Sequence, residues 1–308
     1  MTDTTSTPAT PRTTVKIEPK VAKHRYFWQD AVRHILHDRL TMTALIGLLL
    51  LTIVCTVGPI VIENALHIDV DRTNIVQRYK PPNAEHILGT DNLGRDQFLR
   101  LVYGGRVSLA IAYGASILSI LIGVTFGSIA GSNGGWIDDI ILWFINTLES
   151  IPTIFLLIVA STIWSPSPAV LILILALIGW VPTCRVVRSE VIALRDRDYV
   201  VAARSLGAGG FRVLLLHILP NIISTIIVSL TISAGQLILI ESGLSFLGLG
   251  VQAPIPSWGN MLNDAQKYIG TAPYLAVWPG VMIAVTVLSF YILGDGLRDA
   301  LDPRSARK

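Results

Sequence analysis

The sequence predicts an all-α membrane protein of six transmembrane helices, and three observations carry that prediction. First, the 308 residues are 52% hydrophobic and only 15% charged, with mean hydropathy +0.59; a soluble domain carries about a quarter charged residues. Second, the charge is gathered into a few stretches between apolar runs of about 20 residues, the length a helix needs to cross a hydrocarbon core. Third, the basic residues fall into clusters that an even number of crossings places on one side. A net charge of +3 is too small to suggest nucleic acid as a partner. The lipid bilayer is the partner that composition demands.

Taken in order, residues 1–24 are polar and lack the apolar core of a signal peptide, so they read as a disordered cytoplasmic tail. Residues 25–106 form an N-terminal region with the first span and an extracytoplasmic segment. Residues 107–303 form the main transmembrane domain, with a loop at 185–219. The spans are 41–62, 107–130, 140–163, 168–187, 220–240 and 275–293. The third and fourth are parted by a Pro-containing turn at 164–168, because one unbroken span would be too long and would hold two prolines. Pro152 inside the third span predicts a kink.

Orientation follows from the basic residues. Seven lie between Arg12 and Arg39, six between Arg185 and Arg212, and four from Arg298 onward, whereas the loop 254–273 holds only Lys267. The positive-inside rule therefore puts both termini and the 185–219 loop in the cytoplasm. Segment 63–106 holds six basic and six acidic residues, and long loops weigh little in the rule. Gly123, Gly127 and Gly131 repeat at helical spacing and favour close helix packing, read here as packing within the chain.

Within the loop, Asp198 is placed to cap a helix over 199–206, with Gly207 where a left-handed residue is wanted. Tyr199, Ala202, Ala203 and Leu206 fall at i, i+3, i+4 and i+7 and share one small-residue apolar face. Such a face suits a groove on a partner.

At this point the residues resemble a known family. The run Tyr199-Val200-Val201-Ala202-Ala203-Arg204-Ser205-Leu206-Gly207, followed by His217-Ile218-Leu219-Pro220-Asn221, resembles the EAA loop of ABC importer permeases, with Val201 where the motif has glutamate. Three further runs resemble the C-type permeases of the dipeptide, oligopeptide and nickel importers. They are Leu88 to Asp96 with Gly105 to Leu109, Glu241 to Gly250 with Pro256 to Gly259, and Leu293 to Arg304. The resemblance implies a type I importer permease fold with a cytoplasmic coupling helix, in which Tyr199, Ala202, Ala203, Leu206 and Gly207 dock an ATPase. It implies a homologous second permease, two ATPase subunits that bind ATP and magnesium, and an extracytoplasmic solute-binding protein. It implies a bacterial or archaeal inner membrane, no cofactor or catalytic residue in this chain, and a peptide, nickel complex or related small solute.

Two carboxylates lie within apolar runs. Glu149 reads either as lining the translocation path, where it helps pass a cationic group, or as a protonated or paired acid at a subunit interface. The family pattern has an Arg and an Asp upstream, where this chain has Trp143 and Asn146. Glu241 reads as structural. His217 reads as a polar cap, and Cys55 and Cys184 as small apolar packing residues. No GxxxxGK[ST] phosphate loop occurs, and no enzyme constellation stands out. Trp258, Tyr268 and Tyr274 read as anchors for a binding protein or as an interfacial aromatic belt. A secondary transporter is the rival reading, but the chain shows too few spans and no internal repeat.

Overall fold

The computed structural model describes residues 24–64, 70, 72–164 and 167–301. The expected tail therefore lies outside the described residues except for His24, which opens a helix. Ser165 and Pro166 of the predicted turn, and the basic residues at 304, 307 and 308, lie outside them too.

Helix α1 (His24–His37) is followed at once by α2 (Arg39–Asn64). Asp38 joins them, accepting from the backbone N–H groups of Leu40 at 3.2 Å and Thr41 at 3.1 Å and from the Thr41 hydroxyl. The Thr41 hydroxyl, then its backbone N–H, hold the Asp38 carboxyl below its ordinary range. Helix α3 (Gln97–Asn133) begins where Asp96 accepts the Leu99 N–H at 3.0 Å. It starts ten residues earlier than the sequence predicts, so the end of the supposed external segment is helical. The cap decides this boundary, since polar residues in the first turns do not stop a helix.

The third crossing departs most from expectation. It is broken into α4 (Gly135–Glu149) and α5 (Thr153–Ile163), which meet at 83°. Pro152 supplies no N–H and its ring clashes with the preceding turn, so a bend becomes a break. Helix α6 (Pro168–Arg195) opens on a Ser167 cap with proline in its first turn and outlasts its apolar stretch by two turns. It thereby takes Arg185, Arg188 and Arg195 out of the predicted loop. The rest of the loop holds α7 (Asp198–Ser205) and α8 (Gly210–Val213), the latter passing into a π-helical turn at Leu214–Ile218 and a 3-10 turn at Leu219–Asn221. His217 lies inside that turn, where its carbonyl accepts from Asn221 Nδ2 at 2.6 Å, so it does not cap a helix. Helices α9 (Ile223–Phe246), α10 (Trp258–Ala265) and α11 (Tyr274–Leu301) complete the chain.

Contacts fix two opposite faces. Ile35 of α1 and Val228 of α9 pack on Ala300 and Leu301 at the end of α11, and Arg195 of α6 reaches the carbonyl of Gly131 in α3 at 3.2 Å. Those ends share the loop face. On the far face Glu63, Tyr103, Pro168, Pro254 and Pro256 border one cleft. Asp138 pairs with Arg188 on the loop face while Pro168 stands on the far face. Among the described residues five helices are long and apolar enough to cross a membrane, and the broken α4–α5 pair, taken as one span that carries the chain across, makes the sixth expected crossing.

Helices α3 and α6 form the centre. A Cβ at Gly127 would stand 2.6 Å from the Cys184 carbonyl, and one at Gly131 would stand 2.8 Å from that of Arg188. The glycine stripe thus serves packing inside the chain, as expected, by letting two backbones touch. Cys184 is a buried free thiol within this contact, and Cys55 of α2 is a buried free thiol against Gly105 of α3.

Candidate coupling surface and pathway wall

Helix α7 is short, and it stays in place because one side of it is nailed to the bundle. Val200 is fully buried among Val187, Val191, Val213, Ile218 and Ile222, with Ala203 packed at the edge of that floor. The helix ends in a Schellman arrangement: the N–H of Gly207 reaches the Arg204 carbonyl at 2.9 Å, and that of Ala208 reaches Ala203 at 3.1 Å. This closure needs φ +88° at Gly207, as the sequence predicts. Asp198 does not cap. It is the first helical residue, where its charge complements the positive helix end, and Arg197 holds the cap position without a side-chain bond.

Of the predicted docking residues, Tyr199, Ala202, Leu206 and Gly207 face outward, and Leu206 is 89% exposed. Ala203 is half-buried. Val201 and Phe211 are further bare apolar side chains of this loop, Phe211 being 74% exposed. Sequence reasoning missed both Val200 as the nail and Phe211 as part of the surface. An isolated phenylalanine beside the Gly209-Gly210 pair was the available signal for Phe211.

Glu149 stands at the end of α4, level with Val181 and Pro182 midway along α6, where it lines a cleft of about 190 Å³ with Thr153, Leu156, Ile178 and Gln236. Arg185 donates one guanidinium nitrogen to its carboxylate and to Asn146 Oδ1 at 3.0 Å. The two charged side chains are 49% and 43% exposed. The non-helical stretch 150–152 beside them is exposed as well. Arg185 was counted as a loop charge in the sequence, although it lies in the overlap of the predicted span 168–187 and the predicted loop 185–219. One turn on, Arg188 forks onto Asp138 at 2.5 and 2.6 Å and ties the start of α4 to α6.

The far face is built differently. Glu241 has no exposed surface; Ser245 donates to it at 2.8 Å and Ser242 lies 3.4 Å away. Ser108 of α3 and Ser257, the cap of α10, also direct hydroxyls at its carboxylate. Trp258 is likewise fully buried, donating Nε1–H to the Leu101 carbonyl at 2.9 Å and its N–H to Ser108 Oγ at 3.2 Å. Tyr274 Oη lies 3.0 Å from the Lys80 carbonyl, and the ring of Tyr268 packs on Tyr79 at 4.9 Å. Trp258 is thus an internal staple, and neither the anchor nor the belt reading accounts for it. Tyr268 and Tyr274 are half-buried and tie the loop back to the segment around Tyr79 and Lys80. Glu241 is structural, as expected.

Comparisons with known proteins agree with this architecture. Residues 123–307 match the family described as binding-protein-dependent transport system inner membrane component, and residues 27–82 match the N-terminal TM domain of oligopeptide transport permease C. The chain is 38% identical over 282 residues to the dipeptide transport system permease protein of Bacillus subtilis (strain 168), covering 91% of this chain and 87% of that one. It is 36% identical over 277 residues to the oligopeptide transport system permease protein of the same organism, covering 90% of each. It is 37% identical over 281 residues to the glutathione transport system permease protein of Pectobacterium atrosepticum, covering 90% and 91%. With six apolar crossings and matches along both halves, the chain belongs to the family of binding-protein-dependent transport system inner membrane components, as a permease subunit of an ABC importer whose ATPase is a separate subunit.

Proposed function

We propose that this subunit forms half of the translocation path of a peptide importer and receives the ATP-driven stroke through α7. The named relatives carry dipeptides, oligopeptides or glutathione, which supports peptides as the solute. The loop face and both termini are cytoplasmic in this reading, as the distribution of Lys and Arg requires. The complex holds a homologous second permease, two ATPase subunits that bind ATP and magnesium, and an extracytoplasmic binding protein that lands on the far face.

The observation that carries the coupling role is the contrast across α7. Its inner side is locked by Val200, while Tyr199, Ala202 and Leu206 leave an apolar surface bare to water. A rigid knob with one apolar side exposed is what a moving cleft needs to grip, and through Val187 and Val191 it hands displacement to α6. Glu149 belongs to the pathway wall for a related reason. A half-exposed ion pair and uncapped backbone midway along α6 are too costly to face lipid, so protein or water covers them.

Copurification tests the reading. The tagged subunit is expected to bring down two ATPases and a second permease, and the Gly207→Val variant is expected to lose the ATPases while remaining in the membrane. A chain that purifies alone and still transports without nucleotide overturns it.

A further inference from the structure

We propose that the Glu149–Arg185 pair is a transient docking point for zwitterionic solutes, each charge exchanging its internal partner for an opposite charge on the solute. This rests on the pathway-wall reading of Glu149. The sequence alone offers Glu149 as an acceptor for a cationic group. The structure changes the chemistry, because the acid is already neutralised by Arg185, which is also held by Asn146. The next charges along α6 and α4 are Arg188, Asp139 and Asp138, and Arg188 is paired with Asp138.

The consequence follows from pairing costs. A solute bearing only a positive group must displace Arg185 and leave that half-exposed cation with Asn146 alone as its partner. A solute bearing only a negative group strands Glu149 in the same way. A solute with both charges satisfies both side chains at once, so opening the pair leaves no charge uncompensated. The surroundings fit a molecule with two charged ends and variable side chains. The cleft presents Leu148, Leu156, Leu175 and Ile178 as apolar walls, with Gln236 and Ser233 to meet amide groups. Half-exposure of both charged side chains leaves them accessible for exchange.

The test uses the full importer complex in proteoliposomes and three forms of alanyl-phenylalanine: unmodified, N-acetylated and C-amidated. Each flux is divided by the wild-type flux of the same form, which cancels the preference of the binding protein. Glu149→Gln is expected to shift the acetylated-to-amidated flux ratio upward by about three- to tenfold, and Arg185→Gln to shift it downward by a similar factor. Should either variant fail to assemble, Asn146→Asp keeps both charged groups, adds one negative charge beside Arg185, and is expected to shift the ratio in the direction of Arg185→Gln. Opposite shifts uphold the proposal. Equal changes for all three forms, or none, overturn it and assign the pair to bracing α4 on α6. The wall itself is read separately: Ser150→Cys should react with a water-soluble thiol reagent and be protected by unmodified peptide. Protection with no selectivity shift sinks the zwitterion proposal alone. Absence of labelling sinks the wall reading as well.

Discussion

Glu149 and Glu241 are the two carboxylates that the sequence places within apolar runs, and the fold treats them in opposite ways. Glu241 is withdrawn entirely from the surface at the far end of α9, surrounded by the hydroxyls of Ser108, Ser242, Ser245 and Ser257 from three segments of chain. Glu149 sits at a helix break with half its surface open, held by one arginine. The first gathers α3, α9 and the start of α10 into one clamp. The second joins α4 to α6 through a single half-exposed ion pair. An acid in a membrane span is therefore either a brace or a working surface, and the burial and number of its partners distinguish the two.

Substitutions can break that contrast, and the largest effect belongs to the clamp. Trp258→Ala removes a fully buried ring and two hydrogen bonds, and about 3–5 kcal/mol of stability should go with it. Thermal unfolding of the detergent-solubilised protein measures this, and a melting temperature close to that of the wild type would show that the far face is not closed by the clamp. Glu241→Leu strands serine hydroxyls beside an apolar side chain and should cost about 1–3 kcal/mol in the same assay. A gain in stability would mean that the carboxylate is retained for something other than bracing.

On the loop face the effects move from stability to transport. Gly207→Val forces a branched side chain into a left-handed backbone and should cost about 1–2 kcal/mol, yet nothing lies within 4 Å for it to strike. Uptake should be lost while membrane levels persist; normal uptake would separate α7 from coupling. Glu149→Gln should be the mildest for folding, at under about 1 kcal/mol, because a half-exposed ion pair contributes little. Its mark should appear in solute transport, and a melting temperature that falls as far as that of Glu241→Leu would erase the distinction between the two acids.

Much of this is legible in the sequence. The apolar runs yield six crossings, the Gly123–Gly131 stripe announces a close helix pair, and Gly207 announces the end of α7. Boundaries were the weak point. Residues 97–106 and 188–195 are helical although arginines interrupt their apolar residues, because a helix persists until a cap or proline stops it, and hydropathy does not report either. Arg185 fell where the predicted span 168–187 and the predicted loop 185–219 overlap and was counted with the loop charges, which hid its partnership with Glu149. A boundary error also made Asp198 look like a cap when the turn after Arg195 had already placed it inside the helix.

What the sequence determined by itself is the class of molecule, the number of crossings, and the spacing that puts Tyr199, Ala202 and Leu206 on one side of a short helix. These follow from local periodicity and from the cost of leaving backbone groups unpaired in lipid. Only the tertiary structure decided which residues the bundle hides: Trp258 and Val200 inside, Leu206 and Phe211 outside, one glutamate enclosed by hydroxyls and the other left on an open wall. Burial is a property of what lies across from a residue, and no local pattern in the chain encodes its distant neighbour.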